Sequence, residues 1–229
     1  MNNLGLFVPW SKILVMTGIV FRMPLNVRSL IEASRFFDSL PEAFPIRVSP
    51  WKEYPYAPEA TVKCAWQPQG LFLKYKVKED CVRAVYTQPN EPVYKDSCVE
   101  FFVSSPETKD YYNFEFNAIG NILAAVGPSR PDRAFLPAEE IGRIQVLPSL
   151  GKKPFQEKTG EISWELTVFL PVSLFKKHIS GFQENMVLRA NFYKCGDELS
   201  KPHYLCWSEI ETVSPDFHRP EYFGELILS

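Results

Sequence analysis

The chain predicts an all-β fold, an antiparallel β-sandwich of jelly-roll type with a short helical segment near its N-terminus. Three observations carry this expectation. Apolar and polar residues alternate with period two in many short runs, as half-buried strands do. The runs are punctuated by turn residues, and 20 prolines against 11 glycines imply stiff loops between short strands. Helical periodicity is almost absent, which leaves a sandwich or barrel as the way to bury the strands. No internal repeat or linker splits the chain, so residues 45–229 read as one domain preceded by an extension over residues 1–44.

Taken in order, Lys12 followed by Ile13 to Phe21 looks like a short signal-peptide core, but Arg22 follows at once and no small-residue cleavage site is clear. The run is too short to span a bilayer, so a poor signal and a plain extension both stay open. Asn26 to Leu40 is a candidate helix with Ser29 or Asn26 as its cap. The segment Pro50 to Pro58 is aromatic and proline-rich, hence extended. Strands then follow at Thr61–Trp66, at Leu71–Val77 after a Gln-Pro-Gln-Gly turn, and at Val82–Tyr86. Val62, Cys64 and Trp66, and then Leu71, Leu73, Tyr75 and Val77, mark buried faces.

Further strands are expected at Ile122–Val126, Ile144–Leu147, Ile162–Leu170, Met186–Tyr193, Pro202–Trp207 and Phe223–Leu228. Pro171 to Phe175 reads as a single helical turn. Residues 127–140 form a proline-containing, charged loop that is long for a compact domain, and such loops are functional or mobile.

Composition narrows the function classes. Hydrophobic content of 45% with 14% aromatics supports a real core. Twenty-five basic against 27 acidic residues give a net charge of −2, with no basic stripe, so nucleic acid is not the expected partner. Five cysteines (Cys64, Cys81, Cys98, Cys195, Cys206) lack CxxC spacing, show no zinc site, and leave the redox compartment open.

The most informative stretch is a hairpin from Tyr94 to Asn117. Val99, Phe101 and Val103 share one face of its first arm, and Tyr112, Phe114 and Phe116 one face of its second. The polar face then carries Glu100 opposite Asn113, Glu115 and Asn117. One allowed register sets Glu100 directly against Glu115, an unfavourable like-charge pair. Either the register shifts to an Asn or a cation sits between the carboxylates. A later strand adds Arg189, Asn191 and Tyr193 in the same alternation. Carboxylates, amides and a guanidinium on rigid strands suit a polyhydroxylated ligand. An ordinary solvated face of cross-strand ion pairs fits the same pattern. Trp51, Tyr54, Tyr56, Tyr94, Trp207 and Tyr222 sit in loop-like segments, where flat rings can stack on pyranose C–H faces or simply fill the core. No GxSxG, HExxH or P-loop is present.

The run Asp96-Ser97-Cys98-Val99-Glu100-Phe101-Phe102, followed by Tyr112 to Gly120, resembles the pattern of carbohydrate-binding module family 9, a DOMON-like domain. Arg189 to Tyr193, Cys206-Trp207-Ser208 and Pro215 to Leu226 resemble its late segments, so the likeness spans roughly residues 45–229. The resemblance implies a non-catalytic sandwich that binds mono- or oligosaccharides, often glycan ends, in the company of xylan- or other polysaccharide-degrading enzymes. It implies Glu100, Asn117, Arg189 and Trp207 as ligand contacts, with Asn191, Glu115 and Tyr94 beside them. Trp66 and Tyr94 are candidates for a second aromatic clamp. It also implies no cofactor beyond a possible structural calcium, for which Asp96 is a candidate, and a secreted or periplasmic setting. Two alternatives remain: a glycoside hydrolase using Glu100 and Glu115, and a haem-binding sandwich with His203, His218 or Met186 as axial ligands.

Overall fold

The computed structural model describes residues 16–41 and 43–229. Its elements, in chain order, are β1 (Thr17–Arg22), α1 (Leu30–Ser39), β2 (Phe44–Pro45), β3 (Glu59–Gln67), β4 (Gly70–Ala84), β5 (Cys98–Ser104), β6 (Tyr111–Asn117), β7 (Ile122–Gly127), β8 (Ala134–Phe135), α2 (Ala138–Ile141), β9 (Gln145–Pro148), β10 (Phe155–Pro171), β11 (Val187–Cys195), β12 (Tyr204–Cys206) and β13 (Gly224–Leu228). One layer runs β8-β7-β6-β5-β11-β13-β1, with β12 beside β11. The other runs β1-β3-β4-β10-β9, with β2 beside β3.

β1 belongs to both layers. Thr17–Val20 pair in parallel with β13, and Phe21–Arg22 pair in parallel with β3. The sandwich is therefore mixed where a wholly antiparallel one was expected, and residues 17–22 lie inside it, not in an extension ahead of it. Residues 1–15, including the start of the apolar run at Ile13, lie outside the described residues.

The expected alternation builds the core. Val62, Cys64 and Trp66 on β3, Leu71, Leu73, Tyr75 and Val77 on β4, and Trp164, Leu166, Val168 and Leu170 on β10 face Val99, Phe101, Val103, Tyr112, Phe114, Phe116 and Phe192 from the other layer. The two strands expected at Leu71–Val77 and Val82–Tyr86 merge into the 15-residue β4, because the 17-residue β10 supplies a continuous antiparallel partner with two register shifts. A turn at Ala118–Gly120 joins β6 to β7; Gly120 has φ +79, and a Cβ there would meet Val146 at 2.9 Å.

Helix α1 begins where the sequence places its cap. The Ser29 hydroxyl accepts from the Glu32 amide at 3.2 Å, while Glu32 accepts from the Ser29 amide at 3.1 Å, a reciprocal capping box. Ala33 and Phe37 bury against Ala65 and Phe72 on the outer face of the second layer. Lys74 on that face is 2% exposed and holds Asp38 of the helix at 2.8 Å and Glu165 of β10 at 2.9 Å.

One ionic contact joins the layers from within. Lys194 continues the inward series Leu188, Ala190, Phe192, and Glu79 continues the series that ends at Val77. They meet at 2.8 Å, both buried. The ammonium also donates to the Cys195 carbonyl at 2.9 Å and lies 2.8 Å from Nε2 of His203. Glu79 accepts from the indole N–H of Trp164 at 2.7 Å. Because an ammonium only donates, His203 Nε2 accepts, and its Nδ1–H donates to the Lys201 carbonyl at 2.9 Å. Burial and the neighbouring Lys194 hold this imidazole neutral, well below its ordinary pKa.

Removing one member of a buried ion pair costs about 3–5 kcal/mol. Lys194→Met is expected to lose stability on that scale in urea unfolding. The double variant Glu79→Gln/Lys194→Met recovers most of it, and strictly additive losses would mean the two side chains are not energetically coupled.

Candidate functional site

The outward faces of β5, β6 and β11 form a polar floor whose residues are set by strand parity. Register places Glu100 directly opposite Glu115 on one side and Tyr193 on the other, with Cys98 opposite Cys195. The like-charge register is thus the one adopted. This face is not open to solvent as a flat sheet would be. Loop side chains including Trp51, Val93, Ile210 and Phe217 cover it and make a second apolar cluster with Phe102, Tyr111 and Tyr193.

The covering leaves a shallow cleft with about 460 Å³ of empty space counting the solvent at its mouth. Glu100, Glu115 and Cys195 form its floor, and Tyr94 and Tyr204 contribute rings. Arg130 and Arg133 enter from the long 127–137 loop, Asp197 from the turn after β11, and Asp216, Phe217 and His218 from the segment before β13.

Inside the cleft the polar groups fall into two sets. In the first, the Arg133 guanidinium donates to Nε2 of His218 at 2.7 Å, and Nδ1 of that ring lies 2.8 Å from the Tyr111 hydroxyl. Since Arg133 can only donate, the ring proton sits on Nδ1 and is given to Tyr111. Burial, reinforced by Arg133, pushes the His218 pKa down to about 2, so the ring is a neutral spacer. In the second set, Glu115 Oε1 accepts from the Asn113 amide at 3.0 Å and lies 3.8 Å from Arg133, while Glu115 Oε2 has no hydrogen-bond partner among the described residues although the residue is 2% exposed. Glu100 Oε1 accepts from the Cys195 thiol at 3.1 Å.

Burial raises Glu115 to about 7, partly offset by Arg133 and Arg130. Burial and the charge of Glu115 raise Glu100 well above the usual carboxylate range. Burial also lifts Asp197 to about 6. Near neutral pH the floor therefore holds protons that a pair of free carboxylates would have lost.

Three of the expected contact residues are brought together here: Glu100, Glu115 and Tyr94. Four are placed elsewhere, each for a visible reason. Asn117 is buried, donating to Asp96 and to the Tyr86 carbonyl and accepting from the Asn121 amide. Asn191 makes a two-way bridge to the backbone of Ser208 at 2.8 and 2.9 Å. Arg189, farther along β11, donates to the Pro220 carbonyl at 2.7 Å. Trp207 is 3% exposed on the inner side of the sheet, packed on Phe44 and Phe192, and so forms no rim to this cleft. Trp66 is likewise a core residue.

Asp96 also lies outside the cleft. Its buried carboxylate accepts from Arg83 Nε, from the Val85 and Tyr86 amides, and from Asn117, at 2.9–3.1 Å. With a guanidinium and three N–H donors around it, it is a structural knot. The haem alternative lacks a meeting point, since His203 lies under Lys194, His218 lies in the cleft, and Met186 borders a separate hollow. Arg130, Arg133, Asp197, Tyr204 and His218 were not expected at the site. The unusual length of the 127–140 loop was the one sequence signal that pointed toward any of them.

The fold and cleft define a class: a β-sandwich protein with a half-open recess lined by carboxylates, guanidinium groups and aromatic residues. The model of carbohydrate-binding family 9 matches residues 38–228, and the chain belongs to that family. Its members are binding modules, so the glycosidase reading of Glu100 and Glu115 gives way. A crystal structure from Bacteroides uniformis ATCC 8492, described as a carbohydrate-binding protein by inference, is 39% identical, with TM-score 0.89 over 94% of this chain and 100% of that one. Two structures of a family 9 module from Caldicellulosiruptor kristjanssonii share the fold. The complex with cellotriose has TM-score 0.58 at 13% identity, over 93% of each chain. The complex with glucose has TM-score 0.57 at 12% identity, over 93% of this chain and 96% of that one. A search of curated proteins finds no match.

The raised carboxylates give a signed pH dependence. A carboxyl group with a raised native pKa binds its proton more tightly folded than unfolded, so stability falls as pH climbs from its ordinary 4.5 through about 7. Glu115→Gln keeps an acceptor for Asn113 but cannot ionise. It is expected to lose less stability than wild type between about pH 5 and about pH 8 in urea unfolding. The buried His218 acts in the opposite sense on acidification and does so equally in both proteins. Equal losses would show that Glu115 does not titrate in this window.

Proposed function

We propose that the chain binds the end of a plant-type glycan, glucan- or xylan-like, by seating one sugar ring in the cleft over Glu100 and Glu115. The observation that supports this reading is Glu115 Oε2, a buried carboxylate oxygen lining a cleft with no partner of its own. A buried acceptor left unpaired is costly, and a ligand hydroxyl is the donor that removes the cost. Arg133 and Arg130 add donors at the wall, and Tyr94 and Tyr204 offer flat faces for the apolar side of a ring. The related modules seen with cellotriose and glucose make those two sugars the first to test.

Titration calorimetry with glucose, cellobiose, cellotriose, xylose and xylobiose, repeated with the reduced alditols, tests the reading. Glu115→Ala is expected to weaken binding by roughly ten- to a hundredfold, the scale of a hydrogen bond to a charged group. Tyr94→Ala is expected to weaken it less, and Arg189→Ala hardly at all. Binding lost with the alditols places a closed ring in the cleft. Binding that is indifferent to both Glu115→Ala and Tyr94→Ala would put the sugar elsewhere.

A further inference from the structure

Beneath the cleft lies a group of side chains that sugar binding does not require. Cys98 and Cys195 are directly opposite one another on adjacent antiparallel strands, and Glu100 is two residues beyond Cys98 on the same face. The thiol of Cys195 contacts Glu100 Oε1 at 3.1 Å, and one donor atom from each of the three lies within 4.8 Å of the others. Cys98 is 0%, Cys195 1% and Glu100 3% exposed. All five cysteines are unpaired.

Two buried thiols alone would be small apolar fillers. The carboxylate beside them changes the chemistry. A buried carboxylate needs a cation or several strong donors, yet among the described residues the one hydrogen bond to the Glu100 side chain comes from a thiol, a weak donor. The nearby Arg133 is turned to His218 at 2.7 Å and to Glu115 at 3.8 Å. Elsewhere in this fold buried carboxylates are well supplied, Glu79 by Lys194 and Trp164, Asp96 by Arg83 and three N–H donors. Glu100 stands apart from both.

We propose that Cys98, Cys195 and Glu100 form a three-donor site for a zinc-class divalent cation at the floor of the cleft. The donor set selects the ion. Two thiolates and one carboxylate suit borderline-soft Zn²⁺, Cd²⁺ or Co²⁺, whereas calcium takes six or more oxygens. A tetrahedral ion with metal–sulfur bonds near 2.3 Å and metal–oxygen bonds near 2.1 Å separates its donors by roughly 3.5–3.8 Å. From their present spacing the Cys195–Glu100 pair, at 3.1 Å, opens slightly, and the other separations, within 4.8 Å, need at most a small closure. Binding releases the two thiol protons and the proton held on Glu100 to solvent, and changes no oxidation state. Three anionic donors around a doubly charged ion leave one negative charge, facing Arg133 and Arg130. Cys195 and Glu100 line the cleft, so the fourth position opens toward it and takes a water or a ligand hydroxyl.

The test uses the full chain, reduced, freed of metal with a chelator and kept anaerobic, titrated with Co²⁺. The expected result is one equivalent of bound cobalt, with a thiolate-to-cobalt charge-transfer band in the near ultraviolet, intense tetrahedral bands in the visible, and displacement by Zn²⁺. Cys98→Ser and Cys195→Ser are each expected to abolish the charge-transfer band or weaken affinity more than about a hundredfold, beyond the loss from a supporting residue. Cys64→Ser and Cys206→Ser leave it unchanged. A folded, reduced wild-type protein with no charge-transfer band would overturn the proposal whether or not the variants fold. So would a band that survives both Cys98→Ser and Cys195→Ser. Sugar titrations of the chelator-treated protein stand apart from this result, so failure of the metal site and failure of the carbohydrate reading are distinguishable.

Discussion

The contact between Lys194 and Glu79 is made inside the sandwich, where water cannot screen it, and much of the remaining architecture is arranged around it. An ammonium buried to this degree is tolerable only with all of its donors satisfied, and Glu79, the Cys195 carbonyl and His203 provide the partners. The contact joins β4 to β11, so it fixes one layer against the other. It also reaches the cleft through parity. Lys194 points inward, so its neighbours Tyr193 and Cys195 point outward, toward the floor of the cleft. His203 transmits the same constraint onward, because its Nδ1–H holds the Lys201 carbonyl in the loop that carries Asp197 and Tyr204 to the cleft.

A second constraint acts at the same end of that floor, one strand over. Asp96 gathers Arg83 and two amides from the end of β4 together with Asn117 from the end of β6. Arg83 in turn holds Glu198 at 2.9 Å, in the same loop as Asp197. Two ionic knots, one internal and one beneath the loops, thus pin the same end of the strands that carry Glu100 and Glu115. With that end pinned, the opposed carboxylates cannot relieve their repulsion by shifting register. They relieve it by retaining protons, and a ligand or ion then meets acceptors already in place.

The strands and their faces were legible because alternation is a local property. The Tyr94–Asn117 hairpin, the inward rows of β3, β4 and β10, and the Ser29 cap all follow from residues within a few positions of one another. What lay beyond the sequence was longer in range. Nothing local to Thr17–Arg22 announces that it pairs in parallel with the last strand of the chain. Asn117, Asn191 and Arg189 carry the alternation of a solvent-facing surface, but loops cover that surface and their backbone groups take up these side chains. Trp207 follows a short strand and could have faced either way; a core position against Phe192 claimed it. Arg130 and Arg133 sit in an aperiodic loop, where residue type is visible but direction is not. The carboxylates at the floor were readable, and the walls were not.

The position of β1 bears on how the molecule is assembled. Its first half is bonded to β13 and its second half to β3, so a single strand closes the curl between the layers. The partner of that first half lies roughly two hundred residues along the chain, and joining ends so far apart carries a large loop-closure entropy before any contact is gained. On a ribosome, β3, β4 and the hairpins that follow emerge and can pair while the edge of β1 still waits. The seam is sealed only once β13 has left the tunnel, and until then Val20 and Leu226, both fully buried in the finished fold, have no place in a common core.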